Sequence, residues 1–218
     1  MVKNLNKVFL ISLVFAVLIF CFGLYLGYSL DSLRVNDVNN LIYENELNTI
    51  NYLSSKEFLD LFDENSSCSS TQALLKSISP ELADLGDTLT SYENKGLFSQ
   101  SDYKLLKIKY FLVELRSYVL FTELKKECRS DFDLVLYFYN QDHDSSRNQG
   151  YVLDSLVNSN DNVHVFSFDR SIEDSNVVKL LVSHYNITTA PSLVINDNAK
   201  LDGFVSLDEI RKILEDES

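Results

Sequence analysis

Tyr185-Asn-Ile-Thr-Thr-Ala-Pro191-Ser-Leu-Val-Ile195 decides how the C-terminal part of the chain is read. An amphipathic helix over about Asp174–Tyr185 leads into it, and Ser192–Ile195 closes it as a short apolar strand. Asn196-Asp-Asn198 then reads as a turn, Lys200–Phe204 as a short strand, and Leu207–Glu215 as a terminal helix opened by Ser206. Upstream, Asp133-Leu-Val-Leu-Tyr-Phe-Tyr139 is an apolar, aromatic-rich run of the kind that forms a buried strand. A polar loop, Asn140–Arg147, separates it from a helix over about Asn148–Asn158, and Asn162–Asp169 alternates as a second strand. Strands alternating with helices predict an α/β domain with parallel pairs, finished by a hairpin.

These residues carry a family resemblance. The Tyr185–Ile195 segment resembles the part of thioredoxins in which Tyr-Gly-(Val/Ile) and three further residues precede a cis-proline and the next strand. Gly203-Phe-Val-Ser-Leu-Asp-Glu-Ile-Arg-Lys-Ile-Leu214 is similar to the closing glycine, turn and helix, and Leu134–Tyr139 to the strand that leads to the active-site loop. The resemblance runs from Ser130 to Ser218 and implies a thioredoxin-like fold with Pro191 in the cis form. In that family the strand ends four residues before the first cysteine of C-x-x-C, which opens a helix. Placed on this chain, the motif falls on His143-Asp-Ser-Ser146, with His143 at the nucleophile position and Ser146 at the resolving one. No cysteine follows Cys128, so dithiol exchange by this domain alone is chemically excluded. The resemblance further implies that backbone beside the cis-proline, at Ala190 and Pro191, pairs with an extended peptide.

Residues 35–128 read as helices. Leu41, Ile42, Leu47, Ile50, Leu53, Phe58, Leu61 and Phe62 recur at three- and four-residue steps. A second helix over about Thr71–Tyr92, bent or restarted at Ser79-Pro80, follows the polar stretch Asn65–Thr71. A third runs from Ser101 to about Leu124 and ends in Lys125, Lys126 and Arg129, where a helix C-terminus favours cations. Three helices on short loops pack antiparallel, which puts Cys68 and Cys128 at the same end of the bundle and predicts a disulfide between them. Two free thiols is the alternative.

Val8–Leu30 carries no charge and exceeds the roughly 20 residues that cross a bilayer as a helix. Lys3 and Lys7 precede it and Asp31 follows, so the positive-inside rule keeps the N-terminus cytoplasmic and sends residues 31–218 outside. Cleavage after Ser29 is the alternative to an uncleaved anchor. The expected organisation is an anchor over 1–30, a helical stalk over 31–129 and a thioredoxin-like domain over 130–218.

With 32 acidic against 19 basic residues, net −13, the surface repels nucleic-acid phosphates, which excludes that class of partner. Three scattered histidines and three cysteines with no C-x-x-C spacing give no metal centre and imply no cofactor. His143 between Asp142 and Asp144 has metal-ligand and titratable chemistry, against which stands a plain solvated loop. Asn65-Ser-Ser67 and Asn186-Ile-Thr188 are glycosylation acceptors where the topology and organism permit. The expected function is a redox-inactive module, not an enzyme, that binds a protein or extended peptide. The alternative is an accessory subunit of a thiol–disulfide system working through Cys68 and Cys128. A cysteine put in place of Ser218 is expected to react with a membrane-impermeant thiol reagent in intact cells; labelling only after lysis overturns the topology.

Overall fold

The computed structural model describes residues 2–62, 67–95 and 100–217. The chain divides into two units, Met1–Asn51 and Tyr52–Ser218. Helix α1 runs from Val2 to Phe62 without a break. No glycine or proline lies between Tyr28 and Phe62, so nothing in the backbone chemistry stops the apolar helix where the polar one starts. Within α1, Lys7–Gly27 has a mean hydropathy of 2.8 and none of it is buried, which makes it long and apolar enough to cross a membrane.

In the second unit, α2 (Ser67–Lys95) and α3 (Gln100–Cys128) precede β1 (Asp133–Tyr139), α4 (Asp144–Ser159), β2 (Val163–Asp169), α5 (Asn176–His184), β3 (Ser192–Ile195), β4 (Ala199–Asp202) and α6 (Leu207–Glu217). Helix α2 continues through Pro80. The sheet order is β2-β1-β3-β4, with β1 and β2 parallel and the other two pairs antiparallel. Strand β1 is central, and its alternation decides the layers. Leu134, Leu136 and Phe138 pack into one core with α5, while Val135 and Tyr137 pack into another with α4 and α6. The β3–β4 hairpin turns on Asn196 and Asp197, both at positive φ (50° and 61°), and Asn198 N–H closes the turn on the Ile195 carbonyl at 3.0 Å. Asn196 also ties the hairpin to the start of β1: its Oδ1 accepts from Leu134 N–H at 3.0 Å and from Lys125 Nζ at 2.9 Å.

Helix α3 is buried on two sides. Leu106, Val113 and Leu120, spaced by seven, pack with Ile78, Leu85 and Leu89 of α2. Phe111 and Tyr118, also seven apart, enter the core against β1, β2 and α5. The packing therefore runs across the division that the sequence suggests at Arg129–Ser130: α3 is at once a bundle helix and one layer of the α/β domain.

Cys68 and Cys128 form a disulfide with Cα atoms 5.6 Å apart, joining the start of α2 to the end of α3 as the antiparallel count requires. Tyr52 under Arg116 and the Lys56–Glu123 pair at 2.9 Å lay the end of α1 alongside α3 in the same unit. Closing a loop with a sequence separation of 60 stabilises the fold by roughly 4 kcal/mol in the chain-entropy model. The double change Cys68→Ser with Cys128→Ser is expected to lower the unfolding free energy of the detergent-solubilised chain by about that amount. Urea titration followed by circular dichroism measures it, and an unchanged midpoint overturns the structural role.

Candidate functional site

The site predicted from sequence lies where β1 hands over to α4. Helix α4 begins at Asp144, four residues earlier than the sequence reading places it, and His143 is its N-cap. Asp144 explains the early start, because a carboxylate in the first turn is favoured by the helix dipole. His143 has extended backbone (φ −103°, ψ 119°), its carbonyl accepts from Arg147 N–H at 3.0 Å, and its side chain makes no capping bond. The imidazole is exposed, flanked by the exposed Asp142 and Asp144.

Ser146 is the opposite case. It is 2% exposed, and its Oγ accepts from Asn140 N–H at 3.2 Å. Its carbonyl accepts from the Tyr137 hydroxyl, which burial keeps above its ordinary pKa and so protonated. The Ser146 hydroxyl thus fastens the loop to the helix.

Ala190–Pro191 is a cis peptide bond. In the β1–β3 register Phe138 stands opposite Ser192, so Pro191 leaves the sheet at the end where Tyr139 enters the His143 loop. Gly203, at φ +87°, donates its N–H to the Pro191 carbonyl at 2.8 Å. Positive φ there is a conformation that glycine adopts without penalty. Cys128 and Cys68 sit at the other end of the sheet: Lys125, three residues before Cys128, donates to the Phe132 carbonyl just before β1 begins. The seven residues of β1 separate the disulfide from the His143 loop by roughly 20 Å.

Three buried ionisable groups escaped the sequence reading. Lys107 of α3 is 2% exposed and pairs with the fully buried Asp169 at the end of β2, Nζ to Oδ2 2.7 Å. The same ammonium donates to Tyr103 Oη at 3.0 Å and to Gln141 Oε1 at 3.2 Å, tying the loop before His143 to the helix beneath it. Asp169 Oδ1 accepts from Ser171 N–H and Oγ, so both carboxylate oxygens are satisfied. Two turns further along the same α3 face, Glu114 is buried with its pKa pushed up to about 8 by desolvation, against the lowering effect of hydrogen bonds from Tyr110 and from Ser167 N–H. The missed signal was spacing: Lys107, Phe111, Glu114 and Tyr118 recur at three- and four-residue steps and form one stripe.

The remaining predicted residues take structural places. Asn186 is exposed at φ 51° just past α5, where left-handed backbone closes the helix end, and Ile187 N–H returns to the Val182 carbonyl at 2.9 Å. Asn65 lies outside the described residues. His164 stacks on Phe121 with ring centres 4.0 Å apart, and burial lowers its pKa. Among the described residues no three His, Cys, Asp or Glu side chains gather as a metal site.

Two parallel strands, an antiparallel hairpin, helices on both faces and a cis-proline opposite the first helix start define a thioredoxin-like fold. Among solved structures, 38 chains match. One is a malarial protein, 18% identical over 39% of this chain and 96% of its own, TM-score 0.34. Chloroplastic thioredoxin z is 20% identical over 43% of this chain and 84% of its own, TM-score 0.35. Thioredoxin O2 from Arabidopsis thaliana in the oxidized state is 20% identical over 47% and 85%, TM-score 0.35. No family model and no curated protein matches the chain.

Glu114 gives this end of the fold a pH signature. Folded protein holds a proton that the unfolded chain releases above about pH 4.5, so stability falls as pH rises from 4.5 to about 8 and levels off beyond. The slope attributable to this one group is on the order of 1.4 kcal/mol per pH unit. Glu114→Gln removes the slope. Urea midpoints of both proteins across that window measure it, and a pH-independent difference between them refutes the buried proton.

Proposed function

We propose that this chain is a membrane-anchored, extracytoplasmic protein whose thioredoxin-like domain binds an extended segment of a protein partner without exchanging thiols. The observation that carries the reading is the pair of positions at the start of α4. An exposed His143 replaces the nucleophile, and a buried, hydrogen-bonded Ser146 replaces the resolving thiol. A thiolate is the attacking species in disulfide exchange, and the chain holds no cysteine beyond Cys128. The cis Ala190–Pro191 bond with its neighbouring strand end supports retention of the peptide-pairing edge.

Membrane attachment is supported by Lys7–Gly27, and an outside location by Lys3 and Lys7 before it and Asp31 after it. A disulfide persists where the surroundings are oxidising, which agrees with that side of the membrane. The net charge of −13 disfavours nucleic acid as the partner. A second reading, an accessory subunit of a thiol–disulfide system, is favoured by the half-buried rather than fully buried state of Cys68 and Cys128. It requires the bridge to be reduced readily near −200 mV, whereas a structural bridge resists the glutathione pool.

His143→Cys in a Cys21→Ser background tests the binding edge. A thiolate at a helix start attacks a disulfide in whatever segment docks beside Pro191; that segment's other sulfur leaves as a thiol, and with no resolving cysteine the mixed disulfide is retained. Adducts should form in intact cells and fall sharply when Ala190→Arg is added. Equal yields from the exposed control Lys179→Cys would sink the proposal.

A further inference from the structure

Strand β2 is an edge of the four-stranded sheet, and its outer side faces a cleft of about 810 Å³. That volume falls within the roughly 300–1,000 Å³ of ligand sites. Leu82 of α2, Tyr110 and Glu114 of α3, and Leu153 and Asp154 of α4 line it, with β2 residues 163–167 as a continuous wall. The direction of the peptide groups follows from the ladder. Asp133 N–H takes the Asn162 carbonyl at 2.9 Å, so even-numbered residues of β2 face β1. Val163, Val165 and Ser167 therefore turn their N–H and C=O groups away from β1, towards the cleft side. The Ser167 N–H is taken by the Glu114 carboxyl and the Val163 N–H by the Asn160 carbonyl. Between these two stops, Val165 presents an edge donor and acceptor of the sort another strand uses.

Two further observations point to an occupant. Ser117 lines the cleft at 2% exposure, and its hydroxyl has no hydrogen-bond partner, which native interiors rarely leave so. Among the described residues the cleft lining holds Asp87, Glu114 and Asp154 and no lysine or arginine, with Asp87 and Asp154 exposed on it. His164, the one other titratable side chain there apart from the tyrosines, is held towards its neutral form by burial.

We propose that this cleft takes an extended, basic segment of a protein partner, which adds beside β2 as a fifth strand. The unpaired backbone at Val165 supplies main-chain recognition, and Asp87 and Asp154 supply the preference for lysine or arginine. A second copy of this chain is the poorer occupant, because both copies carry −13 and bring the same acids to the contact. The surface is separate from Ala190–Pro191: β2 and β3 lie on opposite sides of β1.

A fluorescein-labelled Lys-Val-Lys-Val-Lys-Val-Lys peptide, titrated into the full chain in detergent micelles, tests this by fluorescence anisotropy. Saturable binding is expected, weakened roughly tenfold or more by Asp87→Lys with Asp154→Lys, both exposed positions whose exchange leaves the core intact. Methylating alternate backbone nitrogens of the peptide should cost roughly tenfold, the worth of one to two hydrogen bonds. Ala190→Arg should leave the affinity unchanged, and Val165 N–H should exchange more slowly in the complex. The proposal is overturned by absence of saturable binding, by equal affinity for the charge-reversed variant, or by equal affinity of the methylated peptide. It is overturned equally if Ala190→Arg abolishes binding, which assigns the peptide to the other edge. A concentration-dependent dimer that the peptide competes away assigns β2 to a second copy and also overturns it.

Discussion

Two stripes on α3 have to leave water together, and the second unit is arranged around that requirement. Leu106, Val113 and Leu120 need α2, while Phe111 and Tyr118 need the sheet. A helix with one apolar face is free to pack on either neighbour; one with two is pinned between them. Charge reinforces the placement at both ends of the helix. Lys107 meets Asp169 where β2 ends, and Lys125 reaches the Phe132 carbonyl and Asn196 where β1 begins. An ion pair as buried as Lys107–Asp169 is weak evidence of net stabilisation, since desolvation offsets much of the attraction. It does specify register, because any slip of α3 along the sheet leaves both charges unpartnered in the core.

The loop carrying His143 inherits its position from that pairing, through Gln141 on Lys107 and Asn140 N–H on Ser146. The thioredoxin-like framework thus places this loop at the start of α4, at the sheet end where the cis Ala190–Pro191 bond lies. Tyr137 and Ser146 make the start of α4 a fixed, buried contact. The disulfide that does exist stands at the opposite end of β1, where it braces helices.

Local chemistry made much of the fold legible. Val and Phe runs marked β1 and β2, Asn196-Asp-Asn198 marked the hairpin turn, and the apolar Ser192–Ile195 marked β3. Counting helices was enough to pair Cys68 with Cys128. Less was legible where one residue serves two purposes. The polar run after Tyr139 reads as loop, yet Asp144-Ser-Ser-Arg147 is already helix, because the dipole at a helix start rewards Asp144. The sequence reading passes over Lys107 and Glu114, and only the sheet on that side shows them to be interior. A charge buried by a distant segment leaves no mark in its own neighbourhood of sequence.

The position of the disulfide has a mechanical consequence. Cys68 follows the end of α1 by a few residues and Cys128 precedes β1 by a few, so tension applied between α1 and the sheet travels through the sulfur bond. Helices α2 and α3 are a covalent side loop in that circuit and carry little of the load. Reduction would put them in series with the pull, and force would then reach the sheet through the packing of α3. A redox change roughly 20 Å from the His143 loop would thereby decide whether force on α1 is borne by a covalent bond or by the contacts that seat that loop.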